Sequence, residues 1–413
     1  MVTYGSVQPP VSILGLGIIS AFGTSHDGFR DALIEGRSGV GSIGSFDTQG
    51  CRTTLGAPVT GFEPSTWISP MKLRRMDPTA AYAVAASRIA LDDARWPTSA
   101  AGDDTAGVVL GTWTGGGHVT QEYLAALFRA GPTGAPALLF NSTVANAAAS
   151  LAGLEFGFRG PNTTLTHKEA SGLAAIVTAV ELVRAQRASG LVTGGVDALY
   201  EIFFKTHDRF RVMAPAPAFS RAAAPFDRER AGFVLGEGGY ALWIEPGDGW
   251  RTRGAVRHGE ILGIGASSAT VPINAWPDRS PALVRTMRLA LEDAGLRAED
   301  VHVVYASANA TRALDAVEAE ALTELFGGAS TVITSIKGAL GEFGAAGSAA
   351  CAAALLCGRA RQVPPVAGLV EPDAGAASLR IAREVTAAPG PIALVNSFAS
   401  GGALFSAVLR AAW

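Results

Sequence analysis

The chain has 413 residues, of which 33 are basic and 36 acidic, giving a formal net charge of −3; 48% of the residues are hydrophobic and 17% charged. It is long enough for one large domain or two ordinary ones, and too apolar to be disordered. Near-neutral charge with no Lys/Arg run excludes the electrostatic footprint of a nucleic-acid or anionic-membrane binder.

In chain order, short β-branched or Leu-rich runs alternate with longer Ala-rich segments of helical period. Residues 11–16 read as a buried strand, 27–35 and 78–94 as helices, and 106–111 as a strand. Residues 171–186 form a helical pattern that is apolar nearly all round, which places that helix inside, between sheets. A strand at 190–194 follows. After a polar seam at 245–256 the alternation returns, with a helix near 282–294, a strand at 301–305 and a helix at 313–326. The expectation is a layered α/β fold with helices packed on buried sheets. The apolar run at 345–356 is too short and Ala-rich to span a bilayer. Residues 1–10 lack the basic stretch and apolar core of a signal peptide, so a cytoplasmic protein is expected.

Cys51, Cys351 and Cys357 are too few and scattered for a disulfide framework or a zinc site, and the last two read as small buried fillers. Gly15-Leu16-Gly17 lacks the third glycine of a dinucleotide fingerprint and reads as a tight strand-to-loop turn. Gly115-Gly116-Gly117 lacks the Lys-Thr of a phosphate-binding loop and reads as a close packing contact.

Several segments together resemble the β-ketoacyl synthase family of the thiolase fold. They are Arg159-Gly160-Pro161-Asn162 leading into the apolar helix, Gly194-Gly195-Val196-Asp197-Ala198, Pro225-Phe226-Asp227-Arg228 and residues 232–239. Asp315-Ala316-Val317-Glu318, Lys337, Gly344-Ala345-Ala346-Gly347 and Asn396-Ser397-Phe398 complete the series, in order along the whole chain. The resemblance implies a thiolase-like five-layer αβαβα fold made of two similar halves, residues 1–250 and 251–413, paired as a dimer through a central strand. For active members it implies a cysteine at the start of the buried helix that carries the acyl chain, and a backbone oxyanion hole. Two histidines assist decarboxylation of a malonyl unit on acyl carrier protein and formation of the carbon–carbon bond.

By the same resemblance each reactive position is changed. The cysteine position falls on Glu169 within Lys168-Glu169-Ala170-Ser171-Gly172, and the first histidine position on Ser307. The second falls on Glu342, after the retained Lys337, with Phe343 the other occupant because Gly341 to Gly344 is a residue short. In the loop Phe398-Ala399-Ser400-Gly401-Gly402-Ala403-Leu404, Ser400 stands where relatives carry a gating Phe and Leu404 where they carry Asn.

A carboxylate suits a helix N-terminus, where the dipole favours it by about 0.3–1 kcal/mol. It is a far weaker nucleophile than a thiolate and would give only a labile anhydride. Without imidazole donors the enolate left by loss of carbon dioxide has no neutral hydrogen-bond partner, and a carboxylate at position 342 would repel it. Condensation is therefore not expected.

The resemblance points to a chain-length-factor-like subunit of a type II polyketide synthase. Such a subunit is non-condensing, pairs with an active ketosynthase and shapes the acyl tunnel in polyketide or polyene biosynthesis. It would have no cofactor of its own; the phosphopantetheine arm of acyl carrier protein carries the substrate. Known members of that subfamily commonly carry Gln at the cysteine position, and Glu169 departs from this. Tunnel candidates are Val119, Thr120 and Tyr123 in the helical stretch 117–130, with Leu139 and Phe140 in 138–146. The competing reading is an enzyme of the same fold with different chemistry (acyl transfer, hydrolysis or malonyl-carrier decarboxylation), using Glu169 or Glu342 as general base. A third is a structural or carrier-docking platform. His167, two residues before Glu169, does not face it. Asp315 and Glu318 are expected to cap and brace a helix, and Arg221, Asp227, Arg228 and Arg230 to brace the neighbouring loop.

Overall fold

The computed structural model describes residues 8–74, 76–97, 102–215, 221 and 223–413. The first half-sheet contains β1 (Val11–Ile19), β2 (Ala106–Gly111), β3 (Asn162–Leu165), β4 (Gly190–Asp197) and β5 (Gly238–Pro246). The second contains β6 (Gly259–Ser268), β7 (Val303–Tyr305), β8 (Val332–Thr334), β9 (Arg380–Ile381), β10 (Ile392–Phe398) and β11 (Ala403–Ala411).

Across the first sheet the order is β3-β2-β4-β5-β1, and across the second β8-β7-β10-β11-β6, with β9 beyond β8. In both, the two outer pairings are parallel and the two nearest the seam antiparallel. One topology is thus built twice. A short antiparallel pairing of β1 with β6, Val11 opposite Ile261 and Ile13 opposite Gly259, joins the copies edge to edge.

The helices are α1 (His26–Ile34), α2 (Pro78–Asp93), α3 (Gly117–Ala130), α4 (Ala147–Phe156), α5 (Ser171–Arg184), α6 (Glu201–Phe210), α7 (Pro281–Ala294), α8 (Arg312–Phe326) and α9 (Ala346–Arg359). α5 and α9 pack on each other and on strands of both half-sheets, forming the middle layer. α2 and α4 cover the outside of one sheet, α7 and α8 that of the other, which completes the five-layer αβαβα arrangement. Leu173, Ile176, Val177, Val180 and Val183 of α5 are buried, each contributing roughly 1.5–3 kcal/mol by leaving water. Cys351 and Cys357 are free and buried among the small side chains of α9.

Gly15 and Gly17 are not a turn, contrary to expectation: β1 runs through them to Ile19. A Cβ on either would lie 1.9 or 1.8 Å from the carbonyl oxygen of Ala90 or Ala86, so the glycines let α2 lie directly on the strand. The triple glycine does serve packing, since a Cβ on Gly116 would meet the Ser142 carbonyl oxygen at 2.0 Å. Among the described residues no helix is long and apolar enough to cross a membrane.

Candidate functional site

The N-terminus of α5 and the C-terminus of β10 meet at one cleft. A one-turn 3₁₀ helix, Lys168–Ala170, precedes α5 and carries the buried Glu169. β10 ends at Phe398 and turns back through residues 399–402, where Gly401 and Gly402 take φ of 93° and 91°, a region open to glycine at little cost. That turn brings Ser400 onto Glu169 across 231 residues of sequence: the Ser400 hydroxyl donates to Oε1 at 3.0 Å and its amide to Oε2 at 3.2 Å. Lys168, itself at φ 50°, sends Nζ to Asn274 Oδ1 at 2.9 Å, to Ser400 Oγ at 3.2 Å and to the Ile273 carbonyl.

Behind this pair lies a second polar cluster. Lys337 Nζ donates to Glu342 Oε2 at 2.8 Å and to Ser307 Oγ at 3.4 Å. Asn309 Nδ2 donates to the same Glu342 oxygen at 2.7 Å, while Glu342 Oε1 is buried without a partner. The Phe398 amide donates to Ser307 Oγ at 2.9 Å. Phe343 instead packs on Tyr240 in the core, with ring centroids 5.8 Å apart, so Glu342 is the residue that faces Lys337.

Burial pushes the Glu169 carboxyl up to about 7, and the negative charge of Glu342 adds to the rise; its own amide, the Ser400 hydroxyl and Lys168 pull the other way. The expectation of an anion held comfortably by the helix dipole is therefore corrected: desolvation and a like charge outweigh it. Glu342 is also raised by burial, against the pull of Lys337 and Asn309.

Because the folded protein binds the Glu169 proton more tightly than the unfolded chain, its contribution is retained below about pH 4.5 and lost as pH rises toward 7. Glu169→Gln is therefore expected to stabilise the protein by about 3 kcal/mol at pH 8 and by somewhat less than about 1 kcal/mol at pH 5. Urea denaturation at the two pH values checks this, and an equal gain at both contradicts it.

The cleft over Glu169 holds about 290 Å³ and is lined by Lys168, Glu169 and Ser400 together with Trp113, His207, Phe210, Val212, Phe233, Asn274, Trp276 and Thr311. Ser307, Lys337 and Glu342 are not part of this lining; they form its buried support. His207 was not anticipated from sequence. Its Nδ1 lies 2.8 Å from the Phe203 carbonyl, which places the ring proton there, and burial keeps its pKa below the usual value. A neutral ring in that tautomer presents an acceptor at Nε2, not a donor.

The remaining candidates are spread more widely. His167 is exposed, with its ring against Phe405. Asp315 and Glu318 do not cap α8. Asp315 accepts the amides of Phe226, Asn309 and Ala310, and Glu318 those of Ser307 and the Asn396 side chain. They brace the loop before the helix. Asp227 is held by Arg221, and Arg228 pairs with Glu371, while Arg230 reaches both Asp315 and Asp373.

Of the tunnel candidates, Val119 is buried, with its amide on Asp77, and does not share an outward face with Tyr123. Thr120 lines a separate groove along the start of α3. The Tyr123 ring meets that of the exposed Phe140 at a tilt of 54°, with centroids 5.8 Å apart, and Leu139 next to it in sequence is half-buried.

Comparison with known proteins assigns this architecture. Residues 8–247 match the β-ketoacyl synthase N-terminal domain and residues 258–370 its C-terminal domain. The chain belongs to the β-ketoacyl synthase family. Among ketosynthase relatives, 3-oxoacyl-[acyl-carrier-protein] synthase 2 of Synechocystis sp. is 30% identical over 404 residues, covering 95% of each chain. The tetracenomycin polyketide synthase ketoacyl synthase beta subunit of Streptomyces glaucescens is 32% identical over 375 residues, covering 90% of each. The ishigamide ketosynthase/chain length factor superposes with a TM-score of 0.90 at 29% identity, covering 98% of this chain and 100% of that one. Condensing synthases and polyketide subunits thus both stand close to this ketosynthase-family chain.

Proposed function

We propose that this chain is a non-condensing ketosynthase-like subunit, a chain length factor, which pairs with an active ketosynthase and shapes the acyl tunnel in polyketide or polyene biosynthesis. Acyl carrier protein would deliver the growing chain on its phosphopantetheine arm. The observation that carries the reading is the Glu169–Ser400 contact. The resemblance assigns the amide of residue 400 to the oxyanion hole, and here that donor is taken by a carboxylate. A group held this way is neither an acyl acceptor nor an open hole. None of Cys51, Cys351 and Cys357 lines the cleft. Ser307 and Glu342, at the positions the resemblance gives to histidines, supply no imidazole.

Two features support pairing. β3 ends its sheet with β2 on one side and no described strand on the other, the kind of edge that accepts a further strand. Phe128, Leu138 and Phe140, on and just after α3, are 82%, 71% and 58% exposed, which suits a covered apolar surface.

A second reading has one observation in its favour: a carboxyl near 7 in an open cleft suits a general base for hydrolysis or decarboxylation. Against it, both oxygens of Glu169 are engaged by Ser400, and Glu342 lies outside the cleft wall.

Co-expression with an active ketosynthase separates the two. The subunit reading expects a stable one-to-one complex, and no carbon dioxide or free acid released from malonyl-carrier protein by this chain alone. It also expects Tyr123→Ala or Phe140→Ala to lengthen the products of the pair. Release of carbon dioxide by the isolated chain, or unchanged product lengths in both variants, counts against it.

A further inference from the structure

Two neighbouring cavities, the cleft between the halves and a groove of the first half, meet at a single side chain. The cleft over Glu169 holds about 290 Å³, and a groove of about 320 Å³ lies beside the start of α3, walled by Gly116, Thr120, Leu124, Tyr200 and their neighbours. Among the described residues lining the two, Trp113 is the one common to both. Its indole packs edge-on against Phe203 at 5.0 Å and His207 at 5.2 Å, and those two rings pack on each other at 4.4 Å. The indole between the two cavities is therefore braced by two aromatic rings that also touch each other.

The backbone beneath the indole is fixed. Asp197, fully buried at the end of β4, accepts the amides of Trp113 and Thr114 at 2.7 Å each and the hydroxyls of Thr112 and Thr114 at 2.9 Å each, all on Oδ1. A carboxylate with four donors from one turn holds that turn in a single conformation. The ring contacts then leave the indole little rotamer freedom.

We propose that Trp113 is a partition that divides one acyl channel into two chambers. An alkyl chain whose head group rests at Ser400 and Glu169 stops at the indole, and the groove along α3 is left for the end of a chain arriving from outside this chain's own cleft. The ligand class follows from the lining: Trp113, Phe210, Val212, Phe233 and Trp276 suit an alkyl tail, while Lys168, Asn274 and Ser400 suit a neutral polar head. A free carboxylate head would meet Glu169. The proposal rests on the acyl-tunnel reading above only for the identity of the ligand, and concerns which residue limits its length.

The test uses the full chain without a partner and S-acyl-N-acetylcysteamine thioesters of increasing length, with affinity measured by calorimetry. In the wild type, affinity should rise about fourfold per added methylene and then level off. In Trp113→Ala the rise should continue for at least two further methylenes, making the longest probe about tenfold tighter or more relative to wild type. Trp113→Phe should keep the wild-type limit. Trp113→Leu replaces the alanine variant if the latter loses its cooperative thermal transition. The same length limit in wild type and the shortened variant overturns the partition, as does absence of length-dependent binding in both. No ketosynthase is present in the assay, so its failure is distinct from a failure of the pairing experiment.

Discussion

Replacing Lys337 by Met is expected to cost about 3–5 kcal/mol of stability at pH 8. The side chains of Lys337 and Glu342 are 5% and 0% exposed, and their charged atoms are 2.8 Å apart. Removing the ammonium strands a carboxyl that burial already pushes upward. Its folded-state pKa then rises further, and the stability lost grows as pH climbs through that shifted value. The deficit should therefore be smaller at pH 5 than at pH 8. In Lys337→Met/Glu342→Gln the Asn309 side chain keeps an oxygen acceptor, now without a buried charge, and more than half of the loss should return. Denaturation of both single variants and the double variant completes the cycle. Strictly additive losses would mean that the pair is not coupled, and the account of the buried support would be wrong.

The layers of this fold are legible in the sequence because their signals are local. α5 is apolar on nearly every face, and it lies in the middle layer as that pattern requires. Gly15 and Gly17 show the limit of local reading: the same two glycines suit a turn or a strand under a close helix, and only the placement of α2 decides. The chemistry of the cleft is less legible for a related reason. Glu169 meets Ser400 across 231 residues and meets the field of Glu342 from a third segment, so neither its partner nor its raised pKa is encoded near position 169. Trp113 and His207 were missed although α6 carries Phe203, His207 and Phe210 at helical spacing, a one-sided aromatic pattern that announces a wall but not what it encloses.

Part of the support of the cleft is independent of the side chains at the reactive positions. Asp315 holds Phe226, Asn309 and Ala310 by their backbone amides, and Glu318 holds Ser307 by its amide. The contact of Glu318 with the Ser307 amide does not involve the side chain at 307, unlike the contacts of the Ser307 hydroxyl with Phe398 and Lys337. Burial raises Asp315 to about 6 and Glu318 to about 7, so this bracing changes protonation in the same range as Glu169. One fold can keep its loops in register with different groups at the positions they present.

For that reason Glu169→Cys alone is expected to leave condensation at background. The thiol would stand at the start of α5, where the dipole favours a thiolate. It would also inherit the field of Glu342 that already raises Glu169, which disfavours the anion. If an acyl group were nevertheless transferred to it, decarboxylation would find Ser307 and Glu342 where the resemblance calls for imidazole donors. Each missing electrostatic or proton-transfer partner costs about 10²–10³-fold in rate. The triple variant Glu169→Cys/Ser307→His/Glu342→His removes the opposing charge, retains Lys337 and frees the Ser400 amide from the carboxylate. It is expected to raise condensation measurably above the single variant. Mass spectrometry of carrier-bound products, with acyl- and malonyl-carrier protein as substrates, distinguishes the two. Condensation by Glu169→Cys alone would show that the thiol was the one missing part and that the hydroxyl at 307 and carboxyl at 342 are no obstacle to the reaction.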